Sequence, residues 1–217
     1  MKDFVKELDK VRFLPWVGKD YQTGGIFKKR ILVLGESHYC GSCDRKECEN
    51  VFHECCRDLT KNTILKFLNK PDGHENWMKT NTKFEHSLVG KSKTTEKETI
   101  KIWNSIAFYN FLQYAVEKNR KAGEYDAYEA AEEPFFQVLD TLKPELIIAW
   151  GKTRLYDNMP GGERWIDCEN LVVENYAIPN GKYRLSNGNA VPIVFINHPS
   201  SGYNLKFWHK VINKFIK

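Results

Sequence analysis

Lys28-Lys29-Arg30-Ile31-Leu32-Val33-Leu34-Gly35-Glu36-Ser37-His38-Tyr39 is the stretch whose reading decides the fold. Three cations lead into an unbroken apolar run that stops on glycine. A strand wetted on one face would alternate polar and apolar residues, so a continuous run predicts a strand buried on both faces of a parallel sheet. Its carboxyl end opens into Glu36-Ser37-His38-Tyr39, and open α/β sheets bind ligands beyond the carboxyl ends of their strands. One segment therefore predicts both a central strand and the place where function is to be sought.

Outward from this segment the same pattern recurs. Glu145-Leu146-Ile147-Ile148-Ala149-Trp150-Gly151 repeats the buried-strand-to-glycine form and leads into Lys152 and Thr153. Residues 191–196 form another apolar run, delivering Asn197-His198-Pro199-Ser200-Ser201-Gly202. Residues 105–111 are dense in aromatic and apolar side chains, as a strand would be, with Asn110 near the end. Between these lie helical segments. Residues 59–68 bring Leu59, Ile64, Leu65 and Leu68 to one face. Thr95-Glu96-Lys97-Glu98 has the form of a capping box that opens a helix through Ile102 and Trp103. Residues 125–142 have helical periodicity up to Lys143-Pro144, and the last segment places Leu205, Trp208, Val211, Ile212, Phe215 and Ile216 on one face, with Lys206, Lys210, Lys214 and Lys217 mostly on the other. Residues 69–93 are polar without a clear period. Asn180-Gly181 and Asn187-Gly188 read as turns between short strands. The alternation predicts one three-layer α/β/α domain over residues 1–217, with a central, mostly parallel four-stranded sheet and a cysteine-rich loop at 40–58.

Composition narrows the classes. The chain has 217 residues, 41% hydrophobic and 28% charged, enough for one sizeable core. Aromatic residues at 13% exclude a disordered polar chain, and the apolar runs are too short to cross a bilayer. The first residues scatter charges where a signal peptide needs an apolar stretch, which gives a cytoplasmic expectation. Lys and Arg number 33 against 28 Asp and Glu, a net +5 that suits phosphate-bearing partners without requiring them. Six cysteines in such a chain favour free thiols or a metal site over a disulfide scaffold. Cys40, Cys43, Cys48 and Cys55, with His53 among them, are spaced for a structural zinc on a loop; the adjacent Cys55-Cys56 pair cannot hold one ion through both sulfurs without strain, so free thiols stand as the other reading. Cys168 is isolated and is read as structural.

The strand ends place an imidazole, a side-chain amide and several hydroxyls on one side of the sheet. In that order (a glycine-led polar segment after the first strand, a strand-borne asparagine, a strand ending in an apolar residue and glycine, and a late His-Pro-Ser) the sequence resembles the uracil-DNA glycosylase superfamily, over residues 31–201. The resemblance implies a monomeric enzyme that binds single- or double-stranded DNA, flips a uracil or other deaminated base and hydrolyses its N-glycosidic bond, with no cofactor required. It matches His198 to the histidine that hydrogen-bonds the departing base, and Asn110 to the amide that reads the base edge. Glu36, Tyr39 and Phe52 fall among the residues that shape the base pocket, while Ser200, Ser201 and Lys152 fall to phosphate. Ser37 departs from the pattern, because relatives carry Asp or Asn there to orient water and a serine is no general base at neutral pH. His38, where many relatives have proline, is expected to assist a water instead. A protein of the same fold that binds nucleic acid or nucleotide without turnover is the alternative. A metal-dependent interaction module built on the cysteine loop is a third reading. Plainer readings stand beside these: His198 as a turn residue, Asn110 as a strand cap, and the late lysines as a solvated face.

Overall fold

A computed structural model describes residues 8–40, 54–70, 73–116, 125–200 and 202–217, with residues 54 and 55 described in their backbone alone. Its strands are β1 (Trp16–Val17), β2 (Ile31–Gly35), β3 (His38–Tyr39), β4 (Ile106–Asn110), β5 (Ala115–Val116), β6 (Leu146–Trp150), β7 (Trp165–Asp167), β8 (Leu171–Val173), β9 (Tyr176–Ile178), β10 (Asn180–Arg184) and β11 (Ala190–Ile196). The helices are α1 (Glu54–Arg57), α2 (Leu59–Asn69), α3 (Met78–Val89), α4 (Glu96–Asn104), α5 (Tyr125–Ala130), α6 (Glu132–Leu142), α7 (Arg154–Asp157) and α8 (Leu205–Ile216).

Four strands, in the order β4-β2-β6-β11, run parallel through the middle of the main sheet. Every residue of β2, β4 and β6 is buried, as their unbroken apolar runs require. Alternation along the strands sends side chains to two cores. Leu32, Leu34, Tyr109, Ile147 and Phe195 pack with Tyr128 of α5 and with Phe135, Val138 and Leu139 of α6. Ile31, Val33, Phe108, Ile148, Trp150 and Ile196 pack with Phe67 of α2, Phe84 of α3, Trp103 of α4 and Trp208 and Val211 of α8. Helices thus cover both faces of a mostly parallel sheet, a three-layer α/β/α arrangement.

The main sheet has seven strands, where the sequence reading expects four. β1 pairs antiparallel with β4 at one edge; β10 and then β7 add antiparallel pairs beyond β11. These edge strands are short or half exposed, and lack the continuous apolar run that announces a central strand. Asn180-Gly181 is no turn: it lies inside β10, where a Cβ on Gly181 would meet the Trp165 ring at 2.2 Å. The turn between β8 and β9 is instead Glu174-Asn175, both in the left-handed region at φ 49° and 67°. Asn187-Gly188 does turn the chain, with Gly188 at φ 83°.

Helix boundaries follow local chemistry. Thr95 and Glu98 form the reciprocal capping box expected of α4. The segment 125–142 divides at Ala131 into α5 and α6. α3 falls in the stretch that shows no period, because half of its buried face is polar: Asn81, Glu85 and Ser87. Glu85, 2% exposed, accepts hydrogen bonds from the hydroxyls of Thr94 and Thr99 and from the indole N–H of Trp103, binding α3 to α4. Two of the late lysines hold the β8–β9 hairpin: Lys210 pairs with Glu174 and the ammonium of Lys214 donates to the Val172 carbonyl. No described helix is long and apolar enough to cross a membrane.

Candidate functional site

The chain leaves β2 for β4 on one side, then returns across β2 to β6 and β11 on the other. The reversal falls between β2 and β6, the switch point at whose carboxyl edge open α/β sheets bind ligands. Register brings the expected residues to that edge. Gly35 lies beside Asn110, Ile196 beside Trp150, and the Gly151 N–H donates to the Ile196 carbonyl at 2.8 Å. By alternation Gly35, Asn110 and Trp150 project to the face covered by α2, α3, α4 and α8. Asn110 ends β4 and His198 lies two residues beyond β11, strands that are three spacings, about 14 Å, apart in the sheet. Between them the absence of a side chain at Gly35 lets Asn110 Oδ1 sit where a Cβ would stand, since a Cβ there would come within 2.1 Å of it. Trp150 supplies an apolar neighbour; its indole N–H is buried and has no hydrogen-bond partner among the described residues.

His198 is set by its own turn. The backbone N–H of Ser200 donates to His198 Nδ1 at 3.2 Å, and the Ser200 hydroxyl lies 2.7 Å from the same nitrogen. A ring nitrogen that accepts an N–H carries a lone pair, so the proton of the neutral imidazole sits on Nε2. Surrounding atoms, and secondarily the Arg154 guanidinium, hold the imidazole below its ordinary pKa; the ring meets Trp150 edge-on at 5.8 Å. The residue is nonetheless exposed, and contact with solvent limits that lowering. Ser200, expected on phosphate, therefore positions His198. The signal lay in the sequence: a hydroxyl two residues after a histidine can turn back onto it.

His38 does not stand where a water-assisting base is wanted. It is 5% exposed, tilted against Phe13 at 4.9 Å, with Nε2 2.9 Å from Thr60 Oγ1. Asn110 Nδ2 approaches the same ring, 3.1 Å from Nδ1 and 3.3 Å from Nε2. Burial pushes its pKa down to about 3, so the ring is neutral throughout the physiological range. With both nitrogens engaged inside the protein, none is left for a water. Asn110, also buried, spends one amide hydrogen on His38 and keeps its Oδ1 over Gly35.

On the opposite side of β2, Glu36 is held by partners that the sequence reading did not single out. Its carboxylate lies 2.9 Å from Arg154 Nε and accepts a hydrogen bond from the buried Tyr128 hydroxyl. A strand end, a helix of the β4–β6 crossover and the helix after β6 are thereby clasped together. Arg154 was within reach of the sequence argument, two residues past the Gly151-Lys152 strand end; Tyr128 gave no signal beyond helical periodicity.

Ser37 is half-buried in the loop after β2, Lys152 is half-buried after β6, and Tyr39 is 51% exposed at the rim. Phe52, Ser201, Cys43, Cys48 and His53 lie outside the described residues, as does the side chain of Cys55. Cys40 is half-buried against the core that packs on α5 and α6. Among the described residues no cluster of three or more metal-ligating side chains occurs. Compared with protein-family models and with curated proteins, the sequence matches none.

Proposed function

We propose that the strand-end site binds a flipped uracil or other deaminated base of DNA and hydrolyses its N-glycosidic bond, on a uracil-DNA glycosylase-like fold. The observation that carries this reading is His198, an exposed residue at the strand ends whose Nδ1 accepts the Ser200 N–H and whose proton therefore sits on Nε2. When the bond between the base nitrogen and the sugar C1′ breaks, the bonding pair leaves with the base and negative charge gathers on its carbonyl oxygen. A neutral N–H aimed at that oxygen stabilises the transition state more than the ground state, as oxyanion-type donors do. Asn110 Oδ1 offers an acceptor to a ring N–H. Water then adds to C1′, oriented by the Ser37 hydroxyl, with its proton passing to solvent. Lys152 supplies positive charge for the DNA backbone, and the protein acts as a monomer in the cytoplasm with no required cofactor.

A uracil-containing oligonucleotide, incubated with the protein and then cleaved at abasic sites by hot alkali, tests this directly. An abasic product is expected. No product from uracil, hypoxanthine or xanthine substrates sinks the proposal. One observation favours a second reading, binding without turnover: Ser37 has no carboxylate and His38 is sealed away, so the described strand-end loop holds no free base for a water. Retention of oligonucleotide with no abasic product selects it.

A further inference from the structure

His38, Thr60 and Asn110 reach one another from β3, the first turn of α2 and the last residue of β4. Their exposures are 5%, 0% and 7%, so their polar atoms must satisfy one another. A neutral imidazole has one N–H and one lone pair. With the proton on Nε2, the ring donates to Thr60 Oγ1 at 2.9 Å, and Nδ1, the ring nitrogen nearer to Asn110 Nδ2 at 3.1 Å against 3.3 Å for Nε2, accepts from it. With the proton on Nδ1, the atom of Asn110 facing the ring would have to be its oxygen, the amide turned by half a revolution. Ring tautomer and amide orientation are therefore a single choice.

We propose that His38, braced by Thr60, is a positioning residue that fixes the Asn110 amide with Oδ1 over Gly35, so that the strand-end site presents an acceptor. An acceptor there favours a base with a ring N–H beside its carbonyl, such as uracil, over cytosine, whose corresponding ring nitrogen holds a lone pair. This preference rests on the base-excision reading above; the tautomer itself does not.

Two measurements separate them. Nitrogen NMR of the histidine-labelled protein at pH 7 is expected to show His38 as the Nε2–H tautomer. Thr60→Val removes the oxygen that holds that proton and is expected to populate the Nδ1–H form, while Thr60→Ser restores the wild-type spectrum. Asn110→Asp places an oxygen opposite Nδ1 whichever way it turns, and so moves the proton to Nδ1 even if Thr60→Val folds poorly. An Nδ1–H ring in the wild type, or a spectrum unmoved by both Thr60→Val and Asn110→Asp, overturns the inference. In the excision assay the uracil-to-cytosine ratio of kcat/KM is expected to fall about tenfold in Thr60→Val, the worth of one buried hydrogen bond, and to recover in Thr60→Ser. An unchanged ratio in an active Thr60→Val protein overturns it as well. If no base is excised at all, the excision reading fails while the ring spectra still decide the tautomer.

Discussion

At the scale of single residues, the two strand-end histidines have opposite environments, and the base-excision proposal gives them opposite uses. His198 is exposed, and its ring accepts on Nδ1 from the turn that follows, leaving Nε2 as the donor. Removing such a donor costs roughly a hundredfold to a thousandfold in rate. His198→Ala is accordingly expected to lose about that factor in kcat on uracil DNA, with its melting temperature close to wild type because the residue is exposed; kcat within threefold of wild type would contradict the role. His38 makes its mark on stability instead. Its folded pKa of about 3 lies below the unfolded value near 6.5, so between these the unfolded chain binds the extra proton and stability rises with pH. Read downward, the His38 contribution is intact above pH 6.5 and is lost as pH falls below it, at up to roughly 1.4 kcal/mol per pH unit. Urea titrations at pH 7 and pH 5 should show a larger acid loss for wild type than for His38→Gln. Equal losses would mean that the buried ring takes up its proton without penalty.

At the scale of elements, polar chemistry fixes what periodicity leaves open. α4 begins where its capping box says it should, since Thr95 and Glu98 are local and need nothing from the rest of the fold. α3 was illegible for the opposite reason: Glu85 and Ser87 look like surface residues until α4 supplies donors to Glu85 and Tyr203, just before α8, meets the Ser87 hydroxyl. Glu85 accepts from two hydroxyls and an indole N–H, so Glu85→Ala strands the buried Thr99 and Trp103 donors and the half-buried Thr94 hydroxyl. A loss of about 3 kcal/mol or more is expected in urea unfolding, and less than 1 kcal/mol would show that those donors find water. The Asn180-Gly181 pair teaches the same lesson about glycine. Read as a turn, it is in fact a flat place on β10 for the Trp165 ring, while the hairpin bends at Glu174-Asn175, which carry no glycine.

At the scale of the whole molecule, the base-excision proposal has the net +5 and the site address different parts of one partner. Charge attracts a phosphate backbone without regard to sequence, whereas Asn110 and His198 are neutral groups suited to a base. Binding of a single-stranded oligonucleotide should therefore weaken steeply with salt: if about three phosphates are neutralised, affinity falls roughly tenfold or more between 50 and 200 mM. Fluorescence anisotropy reads this, and an affinity indifferent to salt would remove backbone attraction as the source of binding. The sequence by itself determined that β2, β4, β6 and β11 are buried strands, that helices cover both faces, and that polar residues gather at the strands' carboxyl ends, because burial and period are written residue by residue. Only the tertiary structure decided what those polar residues meet. His38 and Asn110 are 72 positions apart, and Glu36 and Tyr128 are 92 apart. Periodicity says which side of an element a residue faces; which atom stands opposite depends on how the crossovers stack one element on the next, and that contact is what turns His38 inward and leaves His198 open.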